Sequence, residues 1–307
     1  MNEIVVLALP LFAVILVGYV CGKLRAIPET GLAWIDFFVI YIALPCLLFR
    51  IISRTPFEQL AQPKFVIATT LATVGVFGIG FALAGFRSAS LRERAMAGLI
   101  SGYGNLGYLG LPLALAILGP SAAAPLALVL CFDNIALFVM VPFFLTSAEA
   151  QSPLQAAKRI FLHPFLVGTV LGGIAAALHY SPPPALDRTL EMLQSATAPC
   201  SLFALGVSLA LRPFRRPEVE VPWLVGVKLL VHPALSLGLV SLLSGAPVLW
   251  VKSAVLMAAM PPALNTFMIA RQYQHWVEQS SSAVLLGTLV SLGSLSLVIW
   301  LITSGGL

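Results

Sequence analysis

Charged residues are scarce in this sequence of 307 residues, since 9% are Asp, Glu, Lys or Arg while 59% are hydrophobic. Soluble domains carry about 25% charged residues, so this chain has too little polar surface to cover a water-soluble globule. The scarcity excludes a soluble enzyme or binding domain. It predicts an integral membrane protein whose solvent is the lipid bilayer.

The motifs of common enzyme, metal and nucleic-acid sites are also missing from the sequence. Four cysteines lie in or beside apolar runs without C-x-x-C spacing: Cys21, Cys46, Cys131 and Cys200. We therefore expect neither a metal site nor a cofactor. The four histidines lie far apart and no serine occupies a G-x-S-x-G setting, so an intramembrane enzyme is not expected. The net charge of +5 comes without a basic stripe carrying interleaved aromatics, which excludes a nucleic-acid partner.

Apolar runs long enough to cross a membrane fill most of the sequence. A helix needs roughly 20 mostly apolar residues to cross the hydrocarbon core. Cutting the chain at its charged, Pro-rich and Gly-rich interruptions predicts ten transmembrane helices: Ile4–Gly22, Leu32–Ile52, Phe65–Phe86, Ala95–Leu118, Ala123–Ser147, Ile160–Tyr180, Leu190–Leu211, Val221–Leu243, Pro247–Ala270 and Ser282–Thr303.

The distribution of Lys and Arg between alternate loops predicts how the chain is oriented. With both termini outside, eleven basic residues face the cytoplasm: Lys23, Arg25, Arg87, Arg92, Arg94, Lys158, Arg159, Arg212, Arg215, Arg216 and Arg271. Five face outward: Arg50, Arg54, Lys64, Arg188 and Lys252. Cytoplasmic loops are enriched in these residues, so we predict a multi-pass protein of the cell (inner) membrane with both termini on the periplasmic side.

An internal repeat relates residues 1–150 to residues 151–307. The shift that carries Gly18 onto Gly172 also carries Ala43–Phe49 onto Thr197–Phe203, and these segments share Pro-Cys-x-Leu-Phe. Each half holds five predicted helices, an odd number, so the second half must enter the membrane from the opposite face. The sequence thus predicts an all-α fold of two inverted five-helix repeats, which is characteristic of secondary transporters.

The fourth and ninth predicted helices are both interrupted. Ser101–Pro112 contains four glycines and a proline, and Met260–Thr266 contains a double proline. In a helix interior Gly costs about 1 kcal/mol and Pro about 3 kcal/mol, so neither segment makes a regular helix. Asn105 and Asn265 lie in the two breaks and offer hydrogen-bonding side chains at a site suited to a carboxylate, because a half-helix starts after each break. The alternative is that both asparagines only satisfy the broken backbone.

Three ionisable residues inside predicted helices are further candidates, because a charge in the bilayer is costly. Asp133, followed by Asn134, lies near the middle of the fifth helix. It is either a coupling or gating carboxyl or part of a structural ion pair. Lys228, with His232 one turn further on, either snorkels toward the cytoplasm or counters Asp133 or a substrate carboxylate.

Several of these residues belong to motifs that resemble a known family. The matching stretches are Ala43–Phe49 (Ala-Leu-Pro-x-Leu-x-Phe), Gly104–Pro112 (Gly-Asn-x-x-x-x-Gly-x-Pro), Ser201–Gly206 with Leu209, and Ala270–Tyr273 with Ser281 and Gly287. Along essentially its whole length the chain resembles a short bacterial member of the auxin efflux carrier family, related to the plant PIN carriers. It lacks the long central loop of the plant members, which weakens the case for auxin as its substrate.

The resemblance implies a scaffold and a transport subdomain, each drawn from both repeats, with crossing broken helices 4 and 9. Nine residues are assigned to the substrate site: Asn105, Gly104, Tyr108, Pro112, Pro261, Pro262, Asn265, Pro45 and Cys46. The family moves organic anions, namely auxin in plants and malate, malonate or related carboxylates in bacteria. The resemblance also suggests a homodimer through the scaffold.

Together these features predict a secondary transporter that moves a small organic anion by alternating access, as a proton-coupled carrier or a uniporter. Two alternatives stay open. Sodium could bind at unwound backbone carbonyls and drive symport, although no helix carries an adjacent acidic pair. A channel-like facilitator is the other alternative.

Overall fold

The computed structural model describes residues 2–25, 28–56, 60–86, 90–145, 162, 164–211, 218–304 and 306. Its regular structure is helical, and no β-strand occurs in these ranges; one isolated bridge pairs Gly104 with Pro262. The all-helical class predicted from the sequence is therefore confirmed.

The first half of the chain forms seven α-helices within the described residues. They are α1 (Asn2–Leu24), α2 (Glu29–Phe38), α3 (Leu44–Ser53), α4 (Pro63–Gly85), α5 (Leu91–Gly102), α6 (Leu111–Leu118) and α7 (Ala123–Leu145). A π-helical turn at Val39–Ala43 joins α2 to α3, and another at Leu106–Gly110 leads into α6. A short 3-10 turn, Pro120–Ala122, precedes α7.

The second half forms eight α-helices within the described residues. They are α8 (Pro164–Ala177), α9 (Pro184–Ser195), α10 (Thr197–Ala210), α11 (Glu220–Gly226), α12 (His232–Leu243), α13 (Val248–Ala258), α14 (Leu264–Tyr273) and α15 (Val277–Thr303). A π-helical turn at Val227–Val231 joins α11 to α12.

Six helical stretches of the described chain are long and apolar enough to cross a membrane. They are Thr30–Ser53, Pro63–Gly85, Pro120–Leu137, Pro184–Ala210, Glu220–Leu243 and Val277–Thr303. Four further apolar helices are shorter: Pro10–Leu24, Leu106–Leu118, Leu166–Ala177 and Val248–Ala258. The short ones include the segments where a break or a turn interrupts the helix.

The seventh predicted helix begins earlier than expected, because its first charge is paired. We predicted a start at Leu190, whereas α9 begins at Pro184 and runs through Asp187. The Asp187 carboxylate accepts hydrogen bonds from Arg50 Nε at 3.1 Å and from Arg54 Nη2 at 2.8 Å. Arg50, which we assigned to the outer side, is 5% exposed and lies in the last turn of α3.

Several of the basic residues that predict the orientation of the chain are not among the described residues. Six of the basic residues assigned to the cytoplasmic side lie outside the described residues: Arg87, Lys158, Arg159, Arg212, Arg215 and Arg216. The predicted boundary between residues 150 and 151 also lies outside them.

The chain divides into two compact units, and each draws on both halves of the sequence. The first unit comprises Met1–Gln62, Gly107–Cys131 and Lys158–Pro213, and the second comprises Pro63–Leu106, Phe132–Ala157 and Phe214–Leu307.

Close helix packing in the first unit depends on glycine. Gly18 of α1 lies directly against the backbone carbonyl of Phe203 in α10. A Cβ atom on Gly172 of α8 would lie 3.0 Å from the backbone oxygen of Phe49 in α3. Without a side chain these helices approach to backbone contact, as is common in membrane proteins.

The second unit has an apolar core that surrounds the end of α5. Its buried members are Phe77, Ala95, Met96, Leu99, Tyr103, Leu137, Ala263 and Ala270. Gly98 allows α5 to approach α4, since a Cβ there would lie 2.8 Å from the backbone oxygen of Phe77. This packing fixes the break after α5 next to the break before α14.

Candidate functional site

Two broken helices of the second unit pair through their backbones. The helix α5 ends at Gly102, after which Tyr103 is extended, with φ −85° and ψ 101°. The Asn105 N–H donates to the Pro261 carbonyl at 2.8 Å, and the Ala263 N–H donates to the Tyr103 carbonyl at 2.9 Å. Each break thereby satisfies backbone groups of the other, which is what a break at membrane depth requires.

Two glycines make room for this crossing. A Cβ atom on Gly104 would lie 3.2 Å from Nζ and 3.3 Å from Cε of Lys228. Gly287 of α15 lies directly against the Pro262 ring. Gly104 therefore admits the Lys228 side chain to the crossing itself.

Asn105 provides an unused donor at the crossing. The residue is 3% exposed, and its amide nitrogen Nδ2 has no hydrogen-bond partner among the residues that the structure describes. Leaving a buried donor unpaired costs about 1–3 kcal/mol, so an acceptor that arrives there is favoured. The alternative role predicted for Asn105 was to satisfy backbone groups of the break, and this nitrogen does not do so.

Asn265 is bonded differently from its counterpart. Its Nδ2 donates to the Tyr103 hydroxyl at 3.1 Å, and that hydroxyl donates to Asn134 Oδ1 at 2.8 Å. These side chains tie α14 and the end of α5 to α7. The assignment of Asn265 to substrate binding stays a prediction.

Lys228 is fully buried, at 0% exposure, and does not snorkel. Its Nζ donates to the Ala258 carbonyl at 2.6 Å and lies 2.8 Å from His232 Nδ1. Ala258 is the last residue of α13, whose C-terminal end carries a partial negative charge. The ammonium group thus lies at the end of a half-helix that leads into the crossing.

A line of hydrogen bonds continues from His232 to Asp133. The Thr73 hydroxyl lies 3.2 Å from His232 Nε2 and donates to Asp133 Oδ2 at 2.7 Å. Since Thr73 gives its one proton to the carboxylate, its oxygen accepts from Nε2–H of the histidine. His232 Nδ1 then accepts from Lys228. Each of the three hydrogen bonds is thus donated in the same direction, from Lys228 towards Asp133.

The two ends of this line are a carboxyl group and an amine, and both are buried. Asp133 is 4% exposed, and its second carboxylate oxygen, Oδ1, has no hydrogen-bond partner in the described part of the chain. Charges inside a membrane are costly unless they are paired. The hydrogen bonds connect Lys228 to Asp133 through His232 and Thr73, and the role of Lys228 opposite a substrate carboxylate stays a prediction.

Four predicted site residues belong to the first unit. The Tyr108 hydroxyl donates to Asp36 Oδ1 at 2.9 Å, and Pro112 lies in the first turn of α6. Pro45 lies in the first turn of α3 with Cys46 after it, and Gly168 packs on the Pro45 carbonyl. Their place in the substrate site stays a prediction.

Comparison of the sequence with known proteins shows the family to which the chain belongs. The family described as membrane transport protein matches residues 3–300. The chain belongs to this family. It is 41% identical to a protein of Rhizobium meliloti (strain 1021) described as a putative malonate transporter, over 100% of this chain and 98% of that protein.

More distant relatives of the membrane transport protein family also align along nearly the whole chain. The uncharacterized transporter YfdV of Escherichia coli (strain K12) is 26% identical over 92% of both chains. Auxin efflux carrier component 8 of Arabidopsis thaliana is 22% identical over 94% of this chain and 95% of that protein. The resemblance to the auxin efflux carriers is confirmed, and the chain is a multi-pass membrane transporter and not an enzyme.

Sequence reasoning missed one residue of the hydrogen-bonded line between Lys228 and Asp133 and two groups at the crossing. Thr73 is one of three threonines in α4, and nothing in the sequence distinguishes it from Thr69 or Thr70. Tyr103 and the Ala258 carbonyl also escaped notice, because their roles depend on which helices meet. In the described part of the chain, no three His, Cys, Asp or Glu side chains come together to hold a metal ion.

Proposed function

We propose that this chain is a secondary transporter that binds a small organic anion at the crossing of its two broken helices and moves it by alternating access. The observation that carries the proposal is the unpaired, buried amide nitrogen of Asn105 beside a crossing that also holds the ammonium group of Lys228.

A carboxylate suits this group of donors. Asn105 Nδ2 supplies N–H donors without a partner, and Lys228 supplies a positive charge next to Gly104. The helix α14 begins at Leu264 with no side chain capping its N-terminus, and that end of a helix favours negative charge. Hydrogen bonds to charged groups are about twice as strong as neutral ones, so an anion gains most from these donors.

The proposed architecture is ten transmembrane helices in two inverted five-helix repeats, residues 1–150 and 151–307. Reciprocal contacts support it: Gly18 lies against Phe203, and Gly172 lies against Phe49. One shift along the sequence exchanges these two contacts, as expected when each repeat packs its first helix on the second helix of the other. We assign the first unit to the scaffold and the second to the transport subdomain.

The substrate class is a small carboxylate, and malonate is the first compound to test. The support for malonate is the 41% identity to a protein described as a putative malonate transporter. We place the protein in the cell membrane with both termini on the periplasmic side, and we expect a homodimer that contacts through the scaffold.

Counterflow of radiolabelled malonate into proteoliposomes tests the proposal. Wild-type protein should show saturable uptake that is stimulated by unlabelled malonate inside. Asn105→Ala should lose this uptake, because the buried donor is removed. Ser294→Ala is the matched control: it deletes a hydroxyl oxygen of α15 that also lacks a partner, and should transport normally.

The same assay separates the alternatives. Uptake that requires a sodium gradient would indicate sodium symport, and ohmic single-channel current would indicate a facilitator. Wild-type counterflow combined with full activity of Asn105→Ala would remove the crossing from the substrate site.

A further inference from the structure

We infer that Lys228, His232, Thr73 and Asp133 act as one proton-binding unit, which takes up one proton when an anion binds beside Lys228. The inference rests on the proposed function, because it assumes that the anion reaches the crossing at Gly104. It deepens that function by naming the proton as the coupled ion and Thr73 as the residue that links the two charges.

The unit is continuous and closed from solvent. Three contacts of 2.8, 3.2 and 2.7 Å lead from Lys228 through His232 and Thr73 to Asp133. All four residues are buried, with at most 4% exposure. Thr73 lies in α4, Asp133 lies in α7, Lys228 lies in the turn between α11 and α12, and His232 is the first residue of α12. Three separate segments therefore have to meet to form the unit.

The contacts allow a proton to pass along the unit. Lys228 can give a proton to His232 Nδ1 while Nε2 gives its proton to the Thr73 oxygen and the Thr73 hydroxyl gives its own to Asp133 Oδ2. The products are a neutral amine, a neutral imidazole of the other tautomer, an intact hydroxyl and a carboxylic acid. Three protons move by one bond each, and the net charge of the unit does not change.

Binding of an anion changes the charge balance of the unit. Before it binds, the ammonium of Lys228 compensates the carboxylate of Asp133 through the two neutral residues. An anion next to Gly104 lies beside the same ammonium. The negative charges of the anion and of Asp133 then face the single positive charge of Lys228. A proton from solution on Asp133 restores neutrality, so the anion and one proton are bound together.

Asp133 is also the place where this proton can be held. Within the described ranges its Oδ1 has no hydrogen-bond partner, whereas Oδ2 accepts a hydrogen bond from Thr73. Among the helices around the unit, α4, α12 and α13 contain neither Asp nor Glu, and Asp133 is the one acid of α7. The acids of α5, α11 and α15 are Glu93, Glu220 and Glu278, and each lies in the first turn of its helix. At the end of α5 the titratable group is Tyr103, which is hydrogen-bonded to Asn134, and the Lys252 ammonium of α13 donates to the Ile302 carbonyl.

A spectroscopic experiment without substrate tests the unit directly. Infrared difference spectra of the purified protein in lipid, recorded across pH, should show the carbonyl band of a protonated carboxyl that is missing in Asp133→Asn. Thr73→Val should change the pH midpoint of this band by roughly one unit or more, because it removes a buried hydrogen bond to a charged group. Thr69→Val should keep the wild-type midpoint, since that hydroxyl donates to the Val66 carbonyl.

Transport provides the second readout. Under an imposed pH gradient, wild-type proteoliposomes should accumulate malonate above equilibrium, and Thr69→Val should do the same. Thr73→Val should still support counterflow, which needs no net proton movement, while its accumulation driven by the gradient is lost and malonate reaches only the equilibrium ratio.

The two experiments distinguish failure of this inference from failure of the proposed function. If Thr73→Val keeps the wild-type midpoint, or accumulates malonate like the wild type, the proton-binding unit is refuted while the transporter stands. If wild-type protein shows no malonate counterflow, the proposed function fails for this anion, and the infrared midpoint still decides whether the four residues titrate together.

Discussion

Asp133 and Lys228 should be energetically coupled although no direct ion pair joins them. The line between their charged atoms consists of contacts of 2.7, 3.2 and 2.8 Å and one imidazole ring. The charges therefore lie within about 11 Å of each other, where Coulomb's law with an effective dielectric constant near 20 gives an attraction of about 1.5 kcal/mol or more.

A double-mutant cycle measures this coupling. Asp133→Asn and Lys228→Met should each lower the free energy of unfolding, and removal of one buried charge from a pair can cost 3–5 kcal/mol, a rough upper range here because the two charges are separated. The double variant should lose less than the two single losses added together. The difference should be about 1.5 kcal/mol or more, measured by denaturant titration in mixed micelles.

The control cycle pairs Asp133→Asn with Lys252→Met. Lys252 lies in the second compact unit of the fold, as Asp133 and Lys228 do. Its ammonium group donates to the Ile302 carbonyl and not to a residue of the line from Lys228 to Asp133. These two changes should add within about 0.5 kcal/mol. If the Asp133 and Lys228 cycle is as additive as this control, the charges do not interact and the reasoning is wrong.

Two further substitutions test the packing of the crossing and of the first unit. Gly104→Ala places a methyl group 3.2 Å from the Lys228 ammonium, which is held by its hydrogen bonds. We therefore expect the free energy of unfolding to fall by about 1–3 kcal/mol and counterflow to be impaired. Wild-type values for both would show that the methyl group does not crowd the ammonium. Asp187→Asn leaves the buried Arg50 without its hydrogen-bonded carboxylate and should lower the free energy of unfolding in the same titration. Glu191→Gln, at 3.8 Å from Arg50 and 59% exposed, should cost less than about 1 kcal/mol, and equal losses would contradict the assignment.

The breaks of the two crossing helices could be predicted from the sequence because they have a local cause. Glycines and a proline in Ser101–Pro112, and the double proline after Met260, make a regular helix unfavourable whatever surrounds them. In the structure the two helices are interrupted at Tyr103–Asn105 and at Ala259–Ala263. What the sequence could not show is that the two breaks satisfy each other's backbone groups.

The partners of buried polar residues could not be predicted, because they depend on which helices meet. Lys228 has apolar neighbours in sequence whether it snorkels or turns inward, and its contact with the Ala258 carbonyl joins residues on two helices. For the same reason Thr73 looked like any threonine of an apolar helix. The charge of Asp187 misled the prediction in the opposite direction, since its pairing with Arg50 lets α9 continue where a solvated charge would end the span.

We propose that the anion binds where the two broken helices cross. A cryo-electron microscopy map of the purified protein with malonate, compared with a map without it, shows whether malonate lies there. We expect new density that contacts Asn105 Nδ2 and lies next to Gly104, within reach of the Lys228 ammonium. Malonate density elsewhere, with the Asn105 amide still without a partner, would contradict it.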